Sequence, residues 1–296
     1  MNNISFDVAR LLQRIKFLRY ISYRFNIYRH KRNIEKLSPY FSSSINIVRK
    51  KSINSHRDNH KIVWLFWWQG KEKMPLLVQK CYSSVFENKG NYKVILITKD
   101  NIRNYATLPE FIYLKVQNGQ ITLTHFSDIL RFNLLSNYGG LWLDSTIFVT
   151  ESLDNIKINQ LVTFSGYGSN NAFNIALGRW TGFAIGGRAG EELFDFMNNF
   201  FVDYWKRNEK LQDYFLIDYA LNYAWENNLS DFQECSKRNK FAQPNLFRLE
   251  PFLNKPYLDS TANRLKSNTF IFKLSNRKRI NKSNPSNFFN NLERLY

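Results

Sequence analysis

Three short apolar runs constrain this chain most: "KIVWLFWWQG" from Lys61, "YKVILIT" from Tyr92 to Thr98, and "LWLDSTIFV" from Leu141 to Val149. Each is too short for a buried helix and rich in β-branched or aromatic residues, so each reads as a buried strand. Between the first two, Pro75 opens a helix through Phe86. Before the third, Phe126 to Tyr138 reads as a helix stopped by Gly139 and Gly140, with "DNIRNYATLPEFI" as a short helix or loop ahead of it. Strand, helix, strand, helix, strand with short connections is the pattern of an α/β sheet. In such sheets ligands sit beyond the carboxyl ends of the strands, where Trp67, Trp68 and Asp144 would emerge.

The rest of the chain is organised around that unit. Ile4, Val8, Leu11, Ile15, Leu18 and Phe25 keep helical spacing with Ser22 in the gap, and Arg10, Arg14, Lys16, Arg19 and Arg24 flank them, so residues 1–38 read as a basic amphipathic helical segment. Such a helix can lie on anionic lipid, dock on its own domain, or pair with another chain. Residues 39–60 carry no sustained period and read as a linker. Residues 61–275 form the central unit, with aromatic-rich helices at Glu191–Lys206 and Leu211–Glu226 and a last strand in "NTFIFKL". Residues 276–296 are basic and Asn-rich and read as a partly ordered tail.

At 44% hydrophobic residues over 296 positions, the chain can bury a sizeable core, which excludes disorder throughout. A formal charge of +18 implies an anionic partner such as a nucleic acid, a membrane surface or a phosphorylated substrate. Cys81 and Cys235 are too few for a disulfide framework or a zinc site, so a reducing cytoplasm is the default. No stretch approaches the roughly 20 apolar residues that span a bilayer, and basic residues interrupt the start of the chain, so neither export nor a transmembrane anchor is expected.

Asp144 is the anomaly in the third run, because a carboxylate in an apolar strand costs several kcal/mol unless it pairs or binds a metal. At the strand end it can instead face a cleft, either capping backbone N–H groups or meeting a cation bridged to a diphosphate. Asp128 and Arg131 stand three apart on one helix face and could be a surface ion pair, but the helix, glycine turn and strand can bring them to Asp144. His30, His56, His60 and His125 show no paired ligand spacing, and His125 reads as a fold residue near a helix start. No GxxxxGK[ST] loop or GxSxG elbow is present, and "FAIGGRAG" reads as a strand-to-helix turn.

The order "KIVWLFWWQG", "MPLLVQKCYSSV", "YKVILITKDNIRNYATLP", "FSDILRFNLLSNYGGLWLDSTI" and "DYFLIDY" resembles the capsular polysaccharide synthesis family of glycosyltransferases, strongly over Lys61 to Thr150 and thinly elsewhere. That family is similar in turn to yeast outer-chain mannosyltransferases and glucosylating bacterial toxins. The resemblance implies a GT-A type fold, a Rossmann-like mixed α/β sheet flanked by helices, over 61–275. It also implies a nucleotide-diphosphate sugar donor, a divalent metal (Mn²⁺ or Mg²⁺) and retention of anomeric configuration. By position, Trp67 would stack on the nucleotide base, and Asp128 and Arg131 would hold the donor sugar and its phosphate side. Asp144 would be the metal-binding first acid of a DxD motif, and Asn101 is a further candidate for the nucleotide pocket. Two departures are visible: Thr146 replaces the second acid, and Phe272 stands where relatives often carry the His of His-Lys-Leu.

The resulting expectation is a cytoplasmic enzyme, peripheral on the inner membrane face, that moves a sugar to a growing capsular or other cell-surface glycan carried on a lipid. Asp128, Arg131 and Asp144 would be its catalytic residues, and no nucleic acid partner is expected. Asp213 is either an acceptor contact or an ordinary helix-surface residue. The rival readings are a sugar-phosphate transferase and a non-enzymatic basic binder of nucleic acid or acidic polymer.

Overall fold

In the computed structural model, which describes residues 4–15, 18–50, 61–168 and 172–296, the apolar runs form the centre of a sheet. The strands are β1 (Ile62–Phe66), β2 (Lys93–Ile97), β3 (Gly140–Leu143), β4 (Ile147–Val149), β5 (Val162–Thr163), β6 (Ala184–Gly187) and β7 (Ile271–Lys273). Five of them make a mixed sheet in the order β2-β1-β3-β6-β5. β1 lies parallel between β2 and β3, and β6 and β5 add antiparallel beyond β3. The helices are α1 (Ile4–Leu12), α2 (Arg19–Lys50), α3 (Leu76–Glu87), α4 (Glu110–Gln117), α5 (Leu123–Tyr138), α6 (Glu192–Arg207), α7 (Leu216–Glu226), α8 (Phe232–Arg238) and α9 (Asp259–Lys266).

Both faces of the sheet are covered, which is why β1 reads as an unbroken apolar run. Trp64 and Phe66 point into a cluster with Phe126, Phe132 and Phe194, whereas Val63 and Leu65 point the other way, onto Leu141, Leu143 and Ile147. Glycine is required where α5 turns into β3. Gly139 and Gly140 have φ of +64° and +95°, and a Cβ on either would lie within 2.5 Å of backbone atoms.

The third run is not one strand, as its sequence suggested. β3 ends at Leu143, Asp144–Thr146 turn with the Ile147 N–H bonded to the Asp144 carbonyl at 2.9 Å, and β4 leaves to pair with β7. Asp144 therefore stands at a strand exit, where its charge reaches a cleft instead of the core.

Both chain ends depart from expectation. The expected single amphipathic helix is two, α1 ending at Leu12 and α2 beginning at Arg19, with residues 16 and 17 outside the described residues, and Val8 and Leu11 of the expected stripe are exposed. α2 buries another face, Ser22, Asn26, Arg29, His30, Asn33, Leu37, Phe41, Ile45 and Val48, and packs on α6 and α7. It also runs through Pro39 to Lys50, across the start of the expected linker; residues 51–60 lie outside the described residues. An interior proline costs about 3 kcal/mol, but burying a large apolar side chain returns about 1.5–3 kcal/mol, and four are buried around it. Phe41 alone packs against Phe200 and Tyr223 with ring centroids 5.3 and 4.9 Å away.

The basic tail is docked at its end, where Phe288, Phe289, Leu292 and Leu295 join Leu77 and Phe148 in a third apolar cluster. The asparagines that suggested disorder satisfy the local backbone: the side-chain amides of Asn290 and Asn291 donate to the carbonyls of Asn284 and Pro285, both at 2.7 Å.

Candidate active site

The cleft beyond the carboxyl ends of β1 and β3 has two halves. One cavity, of about 290 Å³, is lined by Trp67, Trp68, Gln69, Trp142 and Thr146, and the other, of about 320 Å³, by Asp128, Arg131, Trp180, Tyr214 and Asp218. Asp144, Thr124 and Ser127 belong to the walls of both. Each volume is near the lower end of ligand pockets, roughly 300–1,000 Å³, so together they suit a ligand of two joined parts. The indole N–H of Trp67 is buried without a protein acceptor. A buried donor left unmade is costly, which makes it a group that a ligand can satisfy.

The three charges that sequence spacing grouped are joined by Arg131. Its guanidinium donates to Asp128 Oδ1 at 2.9 Å and to Asp144 Oδ1 at 3.1 Å, and it stacks 5.0 Å from the Trp142 ring. Arg131 is 3% exposed, so this is not the surface pair that would contribute little. α5 supplies Asp128 and Arg131 one turn apart, with the Thr122 hydroxyl capping its start, and β3 delivers Asp144 opposite them. Trp142 Nε1 adds a hydrogen bond to Asp144 Oδ1 at 3.0 Å. Burial pushes the Asp144 carboxyl up, but the charges of Lys273 and Arg131 and the Trp142 N–H outweigh it and hold the group below its usual range.

His125 supports this group from behind. The Trp205 indole donates to its Nε2 at 2.9 Å, which leaves the ring proton on Nδ1, facing Asp128 Oδ2 at 3.7 Å.

Two sequence candidates are not brought to the cleft. Asn101 spends its side chain on the loop after β2: its oxygen accepts from Thr98 N at 2.8 Å and its amide donates to the Leu96 carbonyl at 2.9 Å. Asp213 is neither a helix-surface residue nor a cleft residue. It is fully buried beside Arg29 at 3.5 Å, accepts from Asn33 Nδ2 at 3.0 Å, and binds the Phe215 N–H at 2.9 Å. Burial raises its carboxyl against the lowering influence of Arg29.

The cleft carboxylate in "QDYFLIDY" is instead Asp218, which sequence reading passed over. Trp180 Nε1 donates to it at 2.8 Å and Asn174 Nδ2 at 3.1 Å. Burial nevertheless pushes it up to about 6, and the nearby Asp128 charge adds to the push. Its signal was helical position: in α7, Tyr219 and Leu216 face the core, and Asp218 falls on the neighbouring face.

Lys273, which follows Phe272 in the last strand, is a second residue beside the cleft with no signal of its own in the sequence. Its Nζ donates to Thr146 Oγ1 and lies 3.6 Å from Asp144 Oδ2. A divalent ion of the kind the resemblance implies is held through one or two carboxylates together with substrate phosphates and water. Here the turn offers one carboxylate, the hydroxyl at position 146 is taken by an ammonium, and that ammonium also faces Asp144. Among the described residues no group of three or more His, Cys, Asp or Glu is placed to hold a metal. The Lys273 ammonium thus stands beside Asp144 where the expected ion would have to sit, and the two fit poorly together.

Residues 13–292 match the model of the family described as "Capsular polysaccharide synthesis protein". The chain is 28% identical over 110 residues to the O-glycosyltransferase braB of Annulohypoxylon truncatum, a match covering 34% of this chain and 26% of that protein. The chain thus spans about a quarter of that relative's length. Among solved structures it is similar to the PaToxG glycosyltransferase, with a TM-score of 0.39 and 14% identity over 81% of this chain and 87% of that one.

Proposed function

Because the chain belongs to the capsular polysaccharide synthesis protein family, we propose that it is a glycosyltransferase that moves a sugar from a nucleotide-diphosphate donor to a growing capsular or other cell-surface glycan. The observation that carries this reading is the position of Asp144, tied to Arg131, on the wall shared by an aromatic cavity and a polar one. The nucleotide base lies against Trp67 and Trp68. The sugar lies in the polar half beside Asp128 and Asp218, and the diphosphate crosses between them past Arg131.

Arg131 then offsets the charge that develops on the departing diphosphate, which is where catalysis of this reaction gains most. Asp128 and Asp144 fix the guanidinium from both sides, so little reorganisation is needed as the bond breaks. Similarity to an O-glycosyltransferase over 110 residues supports a hydroxyl acceptor. Retention of configuration is carried over from the family resemblance.

The acceptor is carried on a lipid, and the enzyme meets it at an anionic membrane surface. Supporting this, Leu11, Tyr20, Ile21, Ile27 and Tyr28 are exposed along α1 and α2 amid the exposed Arg10, Arg14, Arg19 and Arg24, a composition suited to a lipid interface. No helix among the described residues is long and apolar enough to cross a membrane.

The test is a panel of nucleotide sugars screened for hydrolysis and for transfer to a glycan acceptor, with and without Mn²⁺. The reading expects turnover of one donor class and its loss in Asp144→Asn. Steeply salt-dependent binding of acidic polymer with no donor turnover is the result expected of the rival basic binder.

A further inference from the structure

We propose that Lys273 meets the donor diphosphate in place of a divalent cation, so that transfer at this site runs without a metal. The proposal rests on the glycosyltransferase reading above and adds to it the identity of the positive charge.

Lys273 is held by the small sheet. It pairs with Ile147 across β4 and β7, its N–H donates to the Leu246 carbonyl at 2.7 Å, and the Leu274 N–H donates to the Thr146 carbonyl at 3.0 Å. These contacts lock the strand that carries the ammonium to the turn that carries Asp144. Its Nζ bonds Thr146 Oγ1, lies 3.6 Å from Asp144 Oδ2 and sits 5.3 Å from the Phe183 ring centroid. Thr146 lines the aromatic cavity, Phe183 the polar one and Asp144 both, so Lys273, which itself lines neither, is held by residues of the two walls between which the diphosphate would cross.

The replacement of an acid by Thr146 acts twice. It leaves Asp144 as the one carboxylate of the turn, and it supplies the hydroxyl that accepts from Lys273. An ammonium has three N–H donors; Thr146 uses one, leaving donor capacity for phosphate oxygens. Arg131 and Lys273 are two fixed cations that the site carries without an added ion, beside the carboxylates of Asp128, Asp144 and Asp218. A dication placed on Asp144 would have to displace the ammonium or sit against it.

In transfer, the bond from sugar C1 to the diphosphate oxygen breaks and its electron pair stays on that oxygen. The acceptor hydroxyl oxygen bonds C1, and its proton passes to the departing phosphate. Lys273 stabilises the leaving charge electrostatically, the part otherwise given to a metal.

Uridine and guanosine diphosphate, each titrated by tryptophan fluorescence in EDTA and again in Mn²⁺, test the proposal. The expected result is that one of them binds in EDTA with an affinity that Mn²⁺ changes by no more than about twofold. Lys273→Met should weaken that binding by about tenfold or more, and Lys273→Arg should recover most of it. Wild-type binding that requires Mn²⁺ overturns the metal-free proposal and leaves the glycosyltransferase reading standing, as does Lys273→Met binding in EDTA as tightly as wild type. Failure of both nucleotides to bind under either condition overturns both. Should Lys273→Met not fold, the comparison of EDTA with Mn²⁺ on the wild type decides alone.

Discussion

Arg131 bridges Asp128 and Asp144, donating to one at 2.9 Å and to the other at 3.1 Å from a position almost wholly out of water. Its forked geometry lets one side chain serve both carboxylates, which a lysine cannot reproduce.

The first prediction follows from that fork. Arg131→Lys and Asp128→Asn should each lower donor turnover by about tenfold or more, since a charge-assisted hydrogen bond contributes about 1.5–3 kcal/mol. Combined, the two should be clearly less than additive, because both act through one contact. Strictly additive losses in kcat/KM would count against the shared site.

Stability should separate the two acids of "QDYFLIDY". Asp213→Ala leaves Arg29 buried without its ion-pair partner, and breaking such a pair costs about 3–5 kcal/mol. Urea unfolding should show that loss in the midpoint. Asp218→Asn should cost far less in the same titration, since its site opens to the cleft, yet it should impair donor turnover. Equal destabilisation by the two would undo the distinction.

Two of the shifted groups pull the pH dependence of stability in opposite directions. Burial pushes the Asp218 carboxyl up from 3.8 to about 6, so the folded chain holds that proton more tightly, and its contribution is present below 3.8 and lost as pH rises through about 6. His30 is the reverse. Burial lowers it from 6.5 to about 4, so its contribution is present above 6.5 and lost as pH falls through about 4. Its ring bridges the Tyr219 hydroxyl and the Ala172 carbonyl, both at 2.8 Å, and thereby ties α2 to α7. Thermal scans across this range should show wild type gaining on Asp218→Asn, and losing to His30→Gln, as the buffer is acidified. A gap that stays constant with pH for either variant removes that assignment.

A fourth prediction concerns the exposed face of α1 and α2. Replacing Arg10, Arg14, Arg19 and Arg24 with Gln should lower partition onto acidic vesicles about a hundredfold or more, as each basic residue near an anionic surface contributes about 1 kcal/mol. Turnover of a soluble acceptor should persist, because none of the four lines the cleft. Unchanged co-sedimentation would sink the membrane reading.

The parts legible in the sequence were those written in neighbouring residues. Unbroken apolar runs rich in β-branched and aromatic residues specified β1 and β2, the glycine pair specified the tight approach into β3, and three-residue spacing put Asp128 and Arg131 on one helix face. Asp144 followed from the cost of a charge in an apolar run. Tertiary structure alone decided the rest, because it depended on burial or on partners far along the chain. Pro39 sits within a helix because Leu37, Phe41, Ile45 and Val48 are buried around it, and Asp213 is buried because Arg29 and Asn33 reach it from α2. The contact of Lys273 with Asp144 spans nearly half the chain and exists only through the register that sets Lys273 opposite Ile147. Local spacing encodes which side chains share a face, whereas the charge that faces a carboxylate across the cleft is fixed by strand pairing, which a single sequence does not spell out.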